Sequence, residues 1–330
     1  MAAYTTIDNP ELNFQAKLYT GTGSEQAITL DGDENMQPNW VWVKCRSHTE
    51  NHVIHDSVRG ATKVLHSDTT DGEYTVAQGL KSFGSDGFTV GTSNFMNQSS
   101  RTFVAWTWKE STTAGFDIVS YTGNATNRTI SHGLSDALDF IIVKNLATTN
   151  QWCIYNRPRS AEKFIHLDVT DAESDAATVW QDTEPTSSVF SVGTSALTNG
   201  DGNAMIAYCF APIQGFSKFG SYTGNGDADG AYVHLGFRPA WIVVKRTDSA
   251  NSWMMYDNKR NPINLVDNPL YAEGNDAEGT SSAASFDFLS NGFKCRGTGS
   301  AINASGATMI YMAFAESPFV NSNGVPNNAR

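Results

Sequence analysis

The triplet Tyr-Thr-Gly occurs three times, with its glycines at 21, 123 and 224, and a phenylalanine stands just ahead each time (Phe14, Phe116, Phe216). The surroundings recur as well. An apolar run closed by lysine follows: Trp40-Val-Trp-Val-Lys44, Phe140-Ile-Ile-Val-Lys144 and Trp241-Ile-Val-Val-Lys245. Then come His52-Val-Ile-His55-Asp56, Trp152-Cys-Ile-Tyr155-Asn156 and Trp253-Met-Met-Tyr256-Asp257, with Arg59, Arg159 and Arg260 three residues further on. A variable stretch leads to Phe83, Phe190 and Phe288, then to Gly-Thr at Gly91, Gly193 and Gly297. Each unit closes on an apolar run, Phe103–Trp108, Met205–Phe210 and Met309–Phe314. Self-similarity at a fixed period constrains architecture before any other signal does.

Four apolar residues in a row, rich in β-branched and aromatic types, read as a strand buried on both faces. Five or more such signals per unit, spaced by glycine turns, predict an all-β chain of three tandem antiparallel β-sandwich repeats. The expected boundaries are 1–113, 114–214 and 215–320, with a tail at 321–330. The connections 109–115 and 211–215 are too short for free linkers, so the repeats are expected to pack at fixed orientation.

Acidic residues outnumber basic ones, 34 to 22, for a net charge of −12, which repels a phosphate backbone. Nucleic acid is not an expected partner. No apolar stretch has the length of a membrane span, and the start lacks the charged and apolar regions of a secretion signal, so membrane insertion is not expected. Cys45, Cys153, Cys209 and Cys295 are too dispersed for a zinc site or a disulfide framework, and free thiols are expected.

Taken together, Ser221-Tyr-Thr-Gly-Asn-Gly226, Arg238-Pro-Ala-Trp-Ile-Val-Val-Lys-Arg-Thr-Asp248, Ser285–Lys294 and Ala313–Phe319, with the ending Gly324–Arg330, resemble a module of unknown activity. That module occurs, often in tandem, in tail and other virion proteins of tailed phages, especially those of marine bacteria. The resemblance implies a lectin-like or jelly-roll (concanavalin-like) sandwich on the outer surface of a virion, and no catalytic residues carry over. The expected function is a non-enzymatic virion structural protein of the tail or fibre apparatus that contacts the host. The alternatives are capsid decoration, a glycan-binding module or a polysaccharide-cleaving enzyme. Expected partners are other virion proteins, further copies of the chain (a trimer first) and a host surface glycan or receptor.

Chemistry-bearing residues are few. His48, His52, His55 and His66 with Asp56 suggest a metal, but residues three apart on a strand point to opposite faces, and the same places are aromatic elsewhere. No metal or cofactor is expected. The acidic turns at Asp31–Asn35, Asp201-Gly202 and Asp227–Gly230 lack the complete spacing of a calcium loop. Asp56 and Arg59, Asn156 and Arg159, and Asp257 and Arg260 are expected to stabilise a turn rather than clamp a ligand. No nucleophile elbow or nucleotide signature is present. Tyr74, Trp180 and Tyr271 fall in the variable stretches 60–82, 160–187 and 261–285, and are the candidates for stacking on a sugar.

Overall fold

The structure, a computed structural model, describes residues 4–326, so part of the expected tail 321–330 lies outside the described residues. The chain is all-β, and every strand pair among the described residues is antiparallel. Three larger sheets share one strand order. In the first, Phe14–Thr20 pairs with Thr102–Trp108, then Trp40–Cys45, then Val53–Asp56. The second runs Phe116–Thr122, Ala204–Phe210, Phe140–Asn145, Cys153–Asn156 and continues through two short strands. The third runs Ser217–Thr223, Thr308–Pro318, Phe237–Arg246, Met254–Asp257 and ends on Leu270–Tyr271. In each, the segment's last long strand lies in the middle, between its first and its lysine-ended strand, so the segment closes on itself.

A smaller sheet belongs to each larger one: Gln26–Ile28 with Gly87–Val90 and Leu80–Gly84, Arg128–Ser131 with Val189–Val192, and Tyr232–His234 with Gly292–Cys295 and Phe286–Leu289. Alternation along the strands shows what the layers enclose. Val41 and Val43 pack with Ile28, Phe88 and Val90 of the first small sheet, whereas Trp40 and Trp42 turn the other way. Likewise Ile141 and Val143 join Ile130 and Phe190, while Phe140 and Ile142 face the opposite side. The opposite sides of all three larger sheets meet in one central core. Trp40 stacks on Tyr208 of the second segment at 4.7 Å, Trp108 meets Trp241 of the third edge-on at 5.5 Å, and Phe210 meets Phe314 at 6.0 Å. Offset and edge-on aromatic pairs add about 0.5–1.5 kcal/mol each beyond the area they bury.

The Tyr-Thr-Gly triplet now has a physical reason. Tyr19, Tyr121 and Tyr222 donate their hydroxyls to carbonyls of a short helix, at Met96, Thr198 and Ile302. The residues after that helix come so close that a Cβ on Gly21, Gly123 or Gly224 would lie 2.2, 2.0 or 2.4 Å from a backbone oxygen. Only glycine fits there. The third segment carries a one-residue offset. Ser217, not Phe216, pairs opposite Phe314 where Phe14 and Phe116 pair opposite Trp108 and Phe210. Phe216 is nonetheless buried against Phe314 at 5.7 Å.

Candidate functional sites at the segment junctions

The lysines that end the apolar strands are fully buried, and each reaches into a neighbouring segment. Lys144 donates to the carbonyls of Thr70, in the first segment, and Asn150. Lys245 donates to Thr170, in the second segment, at 3.0 Å and to Asn251 at 2.7 Å. Lys44 donates to Asn275, in the third segment, at 3.1 Å and to Cys45 at 2.8 Å. The backbone repeats the pattern: Asn150 to Thr70, Asn251 to Thr170 and Glu50 to Asn275, together with Glu73 to Leu146, Glu173 to Thr247 and Glu278 to Arg46. First joins second, second joins third, and third returns to first, so the three segments form a closed ring.

Burial pushes all three ammonium groups down to about 8. Nearby, burial pushes Asp68 up to about 7 and Asp168 up to about 6, while each accepts a backbone N–H, from His52 at 3.1 Å and from Trp152 at 3.0 Å. Glu273, also raised by burial, accepts from the Trp253 backbone at 3.0 Å in the third segment. The indoles of Trp152 and Trp253 cross the junctions to the His66 and His166 carbonyls at 2.8 and 2.7 Å. His52 holds the corresponding place in the first segment and accepts from the Trp42 indole at 2.8 Å. It is a packed, neutral ring held well below its usual value by burial. His55 is fully buried too, and burial, then the Arg59 charge, push it down to about 3. Among the described residues, no group of three or more His, Cys, Asp or Glu is placed to hold a metal.

The Asp/Asn-x-x-Arg elements sit beside the same junctions. Arg59 and Arg260 cap their own turns through Asp56 and Asp257, and each reaches a junction glutamate, Glu73 at 3.3 Å and Glu278 at 3.2 Å. Each aspartate also takes a donor from another segment: Tyr208 to Asp56 at 2.7 Å, Trp106 to Asp257 at 3.0 Å. The second segment differs. Met312 fills the ladder place held by Trp106 and Tyr208 and has no donor, and there the acceptor is Asn156, buried with its amide unpartnered. Arg159 turns instead to Glu173 at 2.7 Å.

Of the candidate sugar platforms, Trp180 is corrected by the structure. It is 2 % exposed in the core of the second segment, packed edge-on against Tyr155 at 6.1 Å, because the variable stretch folds back over its own sheet as a short helix, Ala177–Trp180. Tyr74 is exposed on the strand Tyr74–Thr75, with its hydroxyl 2.5 Å from His66 Nε2. Tyr271 is half-buried in the wall of a groove of about 370 Å³ at the junction of the second and third segments. The variable stretches are also less free than the sequence suggests, since residues 70–73, 170–173 and 275–278 are the junctions themselves. Of the acidic turns, Asp31 pairs with Lys17, and Asp229 pairs with Lys294 and Arg296.

Two sets of positions escaped the sequence reading. The junction glutamates Glu73 and Glu173 share one spacing from their lysines, which was an available signal, but Glu278 breaks it with a longer connection. Asn97, Asn199 and Asn303 end the short helices, donate to the carbonyls of Gly91, Gly193 and Gly297, and accept from the backbone after the triplet glycine. Their constant place, six residues past the second glycine, was the available signal.

A family model described as Domain of unknown function (DUF7483) matches residues 9–318, a single stretch through all three larger sheets. No curated protein matches the chain.

Proposed function

We propose that this chain, which belongs to the DUF7483 family of domains of unknown function, is a non-enzymatic structural protein of a phage particle, exposed on its outer surface in the tail or fibre apparatus and contacting the host. The resemblance of its motifs to the tandem module of phage virion proteins supports the particle. In this reading the chain is three copies of one lectin-like sandwich module, divided near 113 and 214, with other virion proteins and further copies of itself, a trimer first, as partners.

The observation that carries the structural role is the closed ring of buried lysines. It holds three sheets rigidly about one core, and a rigid body presents its loops without the entropy cost of ordering them on contact. Buried groups with strongly displaced protonation, among them Lys44, Lys144, Lys245, Asp68, Asp168, His52 and His55, are spent on junctions and packing. A catalytic cleft would gather such groups around an open pocket.

Imaging the native particle at a resolution that traces the chain tests this reading. A position at the tail tip with the loop surface outward is expected; a position bridging capsid subunits would replace host contact with capsid decoration.

A further inference from the structure

The groove at the second junction exists because of one small residue. Tyr271 pairs opposite Met254, as His166 pairs opposite Cys153, and His66 takes the corresponding place, next after the Leu65 that bridges to Ile54. In the first segment, Phe95 of the short helix covers that place, 5.4 Å from the His66 ring. The second segment has Leu197 at the same helix position, and the third has Ala301. The missing side-chain volume leaves one face of Tyr271 open to the groove of about 370 Å³.

The groove is otherwise lined mostly by small and hydroxyl-bearing residues, among them Ser281 and Ser300, with the amide of Asn251, and none of its lining side chains is charged. Ser300 donates to Asn251 at 3.2 Å across it. The Tyr271 hydroxyl pairs with no described residue, and Met254 and Ala284 form a buried apolar floor. Beneath it, Lys245 holds the carbonyls of Thr170 and Asn251 in place, so the two walls, from different segments, are fixed before any ligand arrives. An aromatic face with an apolar floor and a rim of neutral donors and acceptors suits a molecule with both C–H faces and hydroxyls. An anionic ligand would find no cation on these walls.

The geometry points to a binding site for one neutral saccharide unit in this groove, stacked on Tyr271 and admitted by Ala301, unique to the third segment. This inference rests on the host-contact reading and names the chemistry that contact would use. The other segments differ at both places: the first has His66 with Phe95 packed on its ring, and the second has His166 with Leu197 at the helix position.

The test is binding of the 330-residue chain to a panel of immobilised neutral and anionic bacterial oligosaccharides, followed by titration with the best neutral one. Neutral oligosaccharides are expected to bind in preference to anionic ones. Ala301→Leu should weaken binding severalfold, and Ala301→Phe and Tyr271→Ala at least tenfold, with the unfolding midpoints of the three variants retained. Ala301→Leu and Ala301→Phe install residues the chain already accommodates at the matching place, so they are not expected to disturb the fold. No binding to any neutral member of the panel, a preference for anionic members, or equal binding by all three variants would each overturn the inference. Equal binding by the variants would leave host contact standing through another surface. A capsid position on the particle would remove host contact while the isolated groove still bound sugar.

Discussion

Lys245 belongs to the third segment and Thr170 to the second, yet the buried ammonium of one donates to the carbonyl of the other at 3.0 Å. Lys44 and Lys144 make the same kind of crossing, so the ring depends on three cations taken out of water. Each is pushed down to about 8 in the folded chain, against 10.5 unfolded. The unfolded chain therefore holds more protons as pH rises past 8, and folding is favoured by the rise. Between pH 7.5 and 8.5 the three lysines together should add about 2 kcal/mol of stability. The window is narrow because buried thiols and phenols, shifted upward, act in the opposite direction at higher pH. Urea unfolding at the two pH values measures the gain, and Lys245→Met should remove about a third of it. A flat or falling profile would show that the ammonium groups are not buried as described.

The Asp/Asn-x-x-Arg elements look alike in sequence and should differ in energy. Asp257 faces Arg260, whose side chain is fully buried, and also accepts from Trp106. Removing one member of a buried pair leaves the other charge uncompensated, so Asp257→Ala should cost about 3–5 kcal/mol. Asn156 has no hydrogen-bond partner to lose, and Asn156→Ala should cost about 1 kcal/mol or less. Equilibrium unfolding of the two variants separates the cases; equal losses would mean that the turn alone, not the cross-segment network, matters.

Much of the fold was legible because it is local and periodic. Trp40-Val-Trp-Val-Lys44 announces a strand buried on both faces, and the structure shows the two faces, Val41 and Val43 outward and Trp40 and Trp42 to the centre. The junctions were not legible. That Lys144 meets Thr70 and Lys44 meets Asn275 depends on how the segments close around one another, which no spacing within a segment encodes. Trp180 misled for a related reason: a tryptophan between strand signals reads as a loop residue, but its stretch folds back as a helix over its own sheet. The groove at Tyr271 was half visible. The tyrosine was singled out, whereas its exposure depends on Ala301, thirty residues on in the sequence and unremarkable there.

Trp180 and Tyr74 give opposite expectations for the same substitution. Trp180→Ala empties a buried site and should cost about 3–5 kcal/mol. Tyr74 is 39 % exposed, and Tyr74→Ala should cost about 1 kcal/mol or less, the loss of one contact to His66. Thermal unfolding of both variants is the measurement. A Trp180→Ala variant of undiminished stability would return that residue to the list of surface contacts.

The four cysteines allow the ring itself to be tested. All are free and buried, and burial pushes Cys153 and Cys209 well up and Cys295 up to about 11. A thiol reacts through its thiolate and only when reached by reagent, so none should react with a disulfide reagent at pH 8 in the native chain, and all four should react in denaturant. The intermediate regime is more informative. Cys45 lies in the outer core of the first segment, Cys153 and Cys209 in that of the second, and Cys295 is buried with the small sheet of the third. Independently stable segments would expose these thiols at separate rates in mild denaturant, each set by its own local opening. A ring whose every member is clasped by a neighbour's lysine should open as one unit, so the four thiols are expected to label at a single common rate. Mass spectrometry of partly labelled chains distinguishes the outcomes: unlabelled and fully labelled chains alone if the ring is cooperative, and chains carrying one or two labels if the segments open separately. Lys144→Met, which unclasps the first junction without touching the buried apolar residues of any segment, should convert the first pattern into the second.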